Sequence, residues 1–181
     1  MFSQRSDDIL AECKNVLIGL EHGFMLIEPG GKYSYGTKGV TLAKQTVKAV
    51  AYEDIDSWRT VHLRLTVQAN AQAVKRGVEI QRIFILNSDK IEAAKDVLDE
   101  HVSAGVKVFV VSPEELSSLQ LLESYLIIDD KILVVFYYTR EGRLLKEEKI
   151  SIESVEVNNA LSRFTSVIRR AKPYTSEKVI A

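Results

Sequence analysis

Cysteine is almost missing from this chain: Cys13 stands alone among 181 residues, so no internal disulfide can form and no second thiol supplies metal-ligand spacing. Histidine is nearly as scarce. His22, His62 and His101 are isolated in sequence and fall in no HExxH or comparable pattern, which leaves a zinc site without ligands, and no cofactor is expected. An excess of one charge is missing too. With 24 basic and 25 acidic residues the formal net charge is −1, which removes the long-range attraction that drives binding to nucleic acid or anionic membranes; a nucleic-acid partner is not expected. No apolar run approaches the roughly 18 residues needed to span a bilayer. The opening Met-Phe-Ser-Gln-Arg-Ser-Asp-Asp is not a signal peptide, so a cytoplasmic protein, or the soluble part of one, is expected. Two further motifs fail on order. Gly30-Gly31-Lys32 and Gly36-Thr37-Lys38-Gly39 lack the GxxxxGK[ST] arrangement of a phosphate loop, and Ser112 and Ser117 have no His or Asp pairing for hydrolase chemistry.

What is present is the patterning of one α/β domain with an N-terminal extension. Ser6, Asp7 and Asp8 open an amphipathic helix carrying Ile9, Leu10, Cys13, Val16, Leu17 and Leu20 at helical spacing. Gly23 to Glu28 reads as a short strand, and the glycine-rich stretch from Gly30 to Gly39 as a loop. Residues 1–45 are thus expected to be an N-terminal helix and linker, 46–173 the main domain and 174–181 a frayed tail. Within the domain, strands at 47–52, 78–86 and 106–111 alternate with helices at 57–76 and 89–101, the order of parallel β-α-β units. Strands at 124–128, 132–138 and 144–150 then follow through tight turns at Asp129-Asp130-Lys131 and Glu141-Gly142, and a final helix begins at Ser151. The fold class is α/β: a mixed β-sheet with helices on both faces, plus the N-terminal helix.

Leu121 to Asp130, Leu-Leu-Glu-Ser-Tyr-Leu-Ile-Ile-Asp-Asp, together with Arg76 to Leu86, Arg-Gly-Val-Glu-Ile-Gln-Arg-Ile-Phe-Ile-Leu, resembles a phospholipase D-like domain whose His-x-Lys-x-x-x-x-Asp signature has decayed. The resemblance covers roughly residues 46 to 173. If Asp129 takes the signature's Asp, Ser124 falls on the Lys position and Leu122 on the His position. In the family that His attacks phosphorus and the Lys holds the phosphate charge. Leucine has no lone pair to offer, and a serine without a neighbouring base is a poor nucleophile. Two signatures normally converge on one site, and none of the three histidines here begins a second copy. The resemblance implies a mixed sheet with Asp129 at the mouth of a central strand. It also implies a chain that is not expected to be an enzyme.

Several residues remain candidates for binding. Asp129 and Asp130, with Asp54 and Asp56 after the first strand of the domain, offer carboxylates for a divalent cation or a shared proton. The competing reading is β-turn chemistry, because Asp side chains hydrogen-bond their own backbone. Arg59 and His62, near a helix start, could meet a phosphate or carboxylate with Arg64, Lys75, Arg76 and Arg82, although helix surfaces carry solvated arginines routinely. Trp58, the sole tryptophan, is either a ligand platform or a packing residue. Alternation on the late hairpin places Phe136 and Tyr138 on one face and Tyr137 on the other, so one tyrosine is expected at the surface, where a protein partner or a second copy in a homodimer could dock. The expected function is a non-catalytic, regulatory phospholipase D-like domain that senses an unknown small molecule or protein partner. The alternative is a metal-assisted phosphodiesterase or nuclease with a rearranged site.

Overall fold

A computed structural model of the chain describes residues 19, 21, 23–27, 35–52, 55–116, 123–138 and 145–176. Their strands form one eight-stranded sheet in the order β1-β7-β6-β5-β2-β3-β4-β8. The strands are β1 (Phe24–Ile27), β2 (Thr46–Ala51), β3 (Glu79–Ile85), β4 (Lys107–Val111), β5 (Ser124–Ile128), β6 (Ile132–Tyr138), β7 (Leu145–Ser151) and β8 (Lys172–Pro173). The helices are α1 (Tyr35–Leu42), α2 (Val61–Lys75), α3 (Lys95–Ser103), α4 (Pro113–Leu116) and α5 (Ser154–Ile168), with 3-10 turns at Ile55–Arg59 and Ser88–Lys90. Strands β2, β3 and β4 are parallel and joined through α2 and α3; every other pairing is antiparallel. The mixed sheet read from the sequence is therefore the one observed. No helix among the described residues is long and apolar enough to cross a membrane.

Strand alternation divides the core between the two faces. Val47, Ala49 and Ala51 of β2, Ile80 and Phe84 of β3, Leu126 and Ile128 of β5 and Val134 of β6 cluster with Val40 of α1, Val67 and Ala73 of α2, and Val97 and Leu98 of α3. Val50, Ile83, Ile85, Tyr125, Ile127, Leu133 and Val135 form the opposite cluster under Val157, Ala160, Phe164 and Val167 of α5. All five residues of β5 are buried, as a strand covered on both faces must be.

Two local expectations are corrected. Residues 35–39, expected as loop, belong to helix α1, and the glycines that suggested a loop serve close packing instead. A Cβ on Gly36 would sit 2.5 Å from Phe136 Cζ and 2.9 Å from its Cε1, and one on Gly39 would sit 2.3 Å from Ile128 Cδ1. Helix and sheet can touch at these two points only without side chains. The expected frayed tail also begins too early. Tyr174 donates its backbone N–H to Val108 O of β4 at 2.9 Å and its hydroxyl to Asp99 Oδ1 of α3 at 2.9 Å, and Ser176 is buried. Strand β1 joins the same sheet and helix α1 packs on it, although both precede residue 46. The expected N-terminal helix lies outside the described residues except for Gly19 and Glu21, both helical; the Glu141-Gly142 turn also lies outside them.

Gly36→Ala tests the contact. Alanine gains about 1 kcal/mol of helix propensity over glycine, but overpacking against the half-buried Phe136 ring costs about 1–3 kcal/mol. The expected net is a loss of up to about 2 kcal/mol in urea unfolding, recovered in part by Phe136→Leu in the same chain. Equal losses with and without that second change would show that the ring is not what Gly36 makes room for.

Candidate functional site

The candidate residues are divided between the two ends of the sheet. At one end β2, β3 and β4 terminate and β5 begins; at the other β2 begins and β5 terminates. Six residues of extended chain, about 20 Å, separate Thr46 from Tyr52. Asp129 and Asp130 lie at the first of these residues, whereas Asp56, Trp58 and Arg59 follow the last. The structure therefore does not bring Asp56 to the edge occupied by Asp129 and Asp130, as the carboxylate cluster required. Asp54 lies outside the described residues. Among the described residues no group of three or more His, Cys, Asp or Glu side chains is arranged to hold a metal ion.

Asp129 does terminate a central strand, and its carboxylate is committed there. Oδ1 accepts the backbone N–H groups of Gln45 at 2.8 Å and Thr46 at 3.0 Å, and Oδ2 that of Lys44 at 3.0 Å. Burial pushes this carboxyl up, but those three amides outweigh it and hold the group below the usual carboxylate range. Asp129 and Asp130 adopt φ values of 50° and 56°, and Lys131 donates its N–H to Ile128 O at 3.0 Å. Two successive left-handed residues are the geometry of a tight hairpin turn, which Asp tolerates better than most residues. Asp130 pairs with Lys48.

At the other end, Arg59 is held by Asp56, by Asp96 at 2.7 and 3.0 Å, and by Ala93 O at 2.5 Å. Its hydrogen bond in turn keeps the Asp96 carboxyl below its ordinary range. Arg76 belongs instead to the Asp129 end, where it donates to the carbonyl of Thr41 at 2.8 Å and closes the end of α1. His62 lies in the first turn of α2. Trp58 is 2% exposed, and its ring meets Phe84 at 5.5 Å and His101 at 4.9 Å, both edge-on. It is a packing residue rather than an open platform.

Beside Trp58 the sheet and helices leave a cavity of about 40 Å³, lined by Thr37, Leu63, Thr66, Arg82, Ser124 and Phe136 among others. Arg82, 4% exposed, places its guanidinium 4.8 Å from the centre of the Trp58 ring. The Thr37 and Thr66 hydroxyls are 2.7 Å apart, and Ser124 Oγ accepts the Tyr52 N–H at 2.8 Å. The Trp58 indole N–H meets no acceptor among the described residues. Glu148, 1% exposed on β7, accepts the Gly36 N–H at 3.2 Å, bringing negative charge to the start of α1. Sequence reasoning missed Glu148 and Thr66, met Thr37 only inside a failed phosphate-loop pattern, and weighed Arg82 as a pocket residue against a solvated one without seeing that it is buried. A signal was available in register: Arg82 alternates with Ile80 and Phe84, and Glu148 with Ile150, so both occupy positions that face a core.

The sheet order and its helical layers define a domain of phospholipase D-like fold. Over 84% of this chain and 98% of the other, it superposes on Nuc, a phospholipase D family member from Salmonella typhimurium, with a TM-score of 0.64 and 14% identity. NucT from Helicobacter pylori gives a TM-score of 0.60 at 16% identity, over 83% of this chain and 98% of that one. The archaeal chromatin protein TrmBL2, described with a novel mode of DNA binding, gives 0.56 at 13% identity over 96% and 67%. No curated protein sequence matches the chain. Residues 34–176 match the family model described as "Domain of unknown function (DUF6879)", and the chain belongs to that family.

Proposed function

We propose that this chain is a non-catalytic phospholipase D-like domain with a regulatory role, one that recognises a small molecule or a protein partner without turning it over. The observation that carries the reading is the state of Asp129 in its hairpin turn, whose two carboxylate oxygens are taken by the three backbone amides of residues 44–46, at the far end of β2 from the cavity. Ser124, in the register that gives Asp129 the signature's Asp, stands at the Lys position and contributes a hydroxyl where a cation would be needed. Its oxygen already accepts the Tyr52 amide. Leu122, at the His position, lies outside the described residues, but no leucine supplies a lone pair for attack on phosphorus. The cavity beside Ser124 suits recognition of something small, since sites for larger ligands usually enclose about 300–1,000 Å³. Tyr137, 40% exposed at the end of β6, offers an aromatic side chain at the same end of the sheet for a protein partner.

The test is turnover. Purified protein incubated with bis(p-nitrophenyl) phosphate and with single- and double-stranded DNA, with and without magnesium or manganese, is expected to show no hydrolysis above the uncatalysed background. Hydrolysis that disappears in an Asp129→Asn protein that still unfolds cooperatively would overturn the proposal. A rise in Tm on adding either metal would favour the metal-assisted alternative, because a ligand selective for the native state stabilises it.

A further inference from the structure

We propose that the corner where the N-terminal segment meets the start of α5, at the Asp129 end of the sheet, is a two-fold interface with a second copy of this chain. The apolar stripe of residues 6–20 from each copy covers Ile152, Val155 and Phe24 of the other. Gly19 and Glu21 are helical, and Gly23 at φ 72° takes the left-handed conformation that ends a helix. Gly23 O accepts the Ile152 N–H at 2.9 Å, and a Cβ on Gly23 would lie 2.6 Å from Glu153 Cγ. The N-terminal helix therefore leaves the domain beside the first residues of α5. Apolar side chains stand in water at that exit: Ile152 is 55% exposed and Val155, in the first turn of α5, 68%. Phe24, 36% exposed, pairs across the strands with Ser151. Lys149 Nζ lies 4.7 Å from the centre of its ring and bonds Glu156 Oε1 at 2.5 Å, which ties β1 to the same turn of α5.

The segment that ends at this corner carries the complementary surface. Ile9, Leu10, Cys13, Val16, Leu17 and Leu20 share one helical face, and such a face requires apolar cover. Gly19 is buried, but it lies about 120° round the helix axis from Cys13, so the contact that buries it is off the stripe. Reach decides between the chain's own stripe and a second copy's. At 1.5 Å per residue, Val16 to Ile9 lie about 10–21 Å beyond Gly23, whereas Ile152 is bonded to Gly23 itself. A corner at the hinge meets only the last turn of its own helix. Two copies related by a two-fold axis satisfy both surfaces at once: the stripes lie antiparallel, and the far end of each reaches the other's corner. Charge argues against a lipid surface as the occupant. Asp7, Asp8, Glu12 and Glu21 outnumber Lys14 on the remaining faces of the helix, a balance that an anionic bilayer repels.

Light scattering on the full chain at micromolar concentration is expected to give twice the mass of one chain. Val155→Glu changes a side chain already in water, so the far-UV circular dichroism should be kept while sedimentation equilibrium shows dimerisation weakened by about tenfold or more. Leu17→Asp, on the stripe, should do the same. Tyr137→Ser, at the opposite end of β6, should leave the dimer intact. Cys13 is the only thiol and lies on the stripe, which makes it a probe of where that stripe rests. A short bis-maleimide applied to the Val155→Cys protein should give a band of dimer mobility in which the peptides carrying Cys13 and position 155 are joined. A single-chain mass in the natural protein would overturn the proposal. The same link in a band of single-chain mobility would overturn it too, since the stripe would then cover its own corner. So would a dimer that survives both Val155→Glu and Leu17→Asp, or one lost in Tyr137→Ser. None of these outcomes bears on phosphodiester turnover, so the reading of the domain as non-catalytic stands or falls separately.

Discussion

Replacing His101 by leucine is expected to flatten the loss of stability between pH 6.5 and pH 4 while lowering stability at neutral pH only modestly. His101 is fully buried on α3 between Trp58 and Phe84, with ring centroids at 4.9 and 5.2 Å. In the neutral tautomer its Nδ1–H donates to Val97 O at 2.9 Å. Burial, followed by the positive charge of Arg82, pushes its pKa down from 6.5 to about 3. The unfolded chain therefore takes up a proton near pH 6.5 that the folded chain refuses until about pH 3, and stability falls throughout that interval as the solution is acidified. At about 1.4 kcal/mol per unit, the loss from this one group by pH 4 is about 3 kcal/mol. Carboxylates with depressed pKa values, such as Asp129 and Asp96, act only below their unfolded values near pH 4, so the two effects occupy different parts of the acid limb. Leucine loses the edge-on ring contacts and the Nδ1 bond, about 1–2 kcal/mol at pH 7. Urea unfolding at pH 7, 5.5 and 4 measures the difference. Parallel losses in the natural protein and the variant would mean that His101 takes up its proton in the folded state after all.

His101 also marks where reading the chain as a string stops being sufficient. Alternating β-branched residues in β3 and β4, and the turn residues at Asp129 and Asp130, encode local geometry, so strands and hairpin were legible within a residue or two. Arg82, Glu148 and His101 are charged or polar residue types that usually lie at the surface, and composition alone assigns them there. Their burial is decided by which helix covers which strand, a fact of topology rather than of neighbouring residues. Gly36 and Gly39 fail for the same reason. Within their own segment they signal a loop, whereas Phe136 and Ile128, about 90 to 100 positions away in sequence, require them to be small inside a helix. Asp56 does not join Asp129 because pairing of β2 with β5 is antiparallel: the end of one strand meets the beginning of the other, which carries Asp129 away from Asp56. The turn reading of Asp129-Asp130 needed only local chemistry and describes their backbone, but not their side chains, which reach Lys44, Gln45, Thr46 and Lys48 instead of their own turn.

Asp129 provides the second large effect, and the order of three substitutions is what tests it. Asp129→Asn keeps a residue that tolerates the left-handed conformation at φ 50° but removes the charge and one acceptor oxygen from the three amides of residues 44–46. Hydrogen bonds to charged acceptors are each worth about 1.5–3 kcal/mol, and part of that is regained through the remaining amide oxygen, so a loss of about 2 kcal/mol is expected. Asp129→Ala removes every acceptor and adds about 1 kcal/mol of backbone strain, for a loss of about 3–4 kcal/mol. Asp130→Asn gives up only the partly exposed pair with Lys48 and should cost less than about 1 kcal/mol. The natural advantage of Asp129 over Asn depends on ionisation. Because the folded pKa is depressed, that advantage is complete above the unfolded value near 3.9 and disappears as pH falls through the folded one. Urea unfolding at pH 7 and pH 2.5 should therefore show the two curves well separated at the first and closer together at the second. If Asp129→Asn proved as mild as Asp130→Asn at pH 7, the carboxylate would not be held by those amides in solution. It would then be available to a cation, and the rearranged phosphodiesterase site would become the better account of this chain.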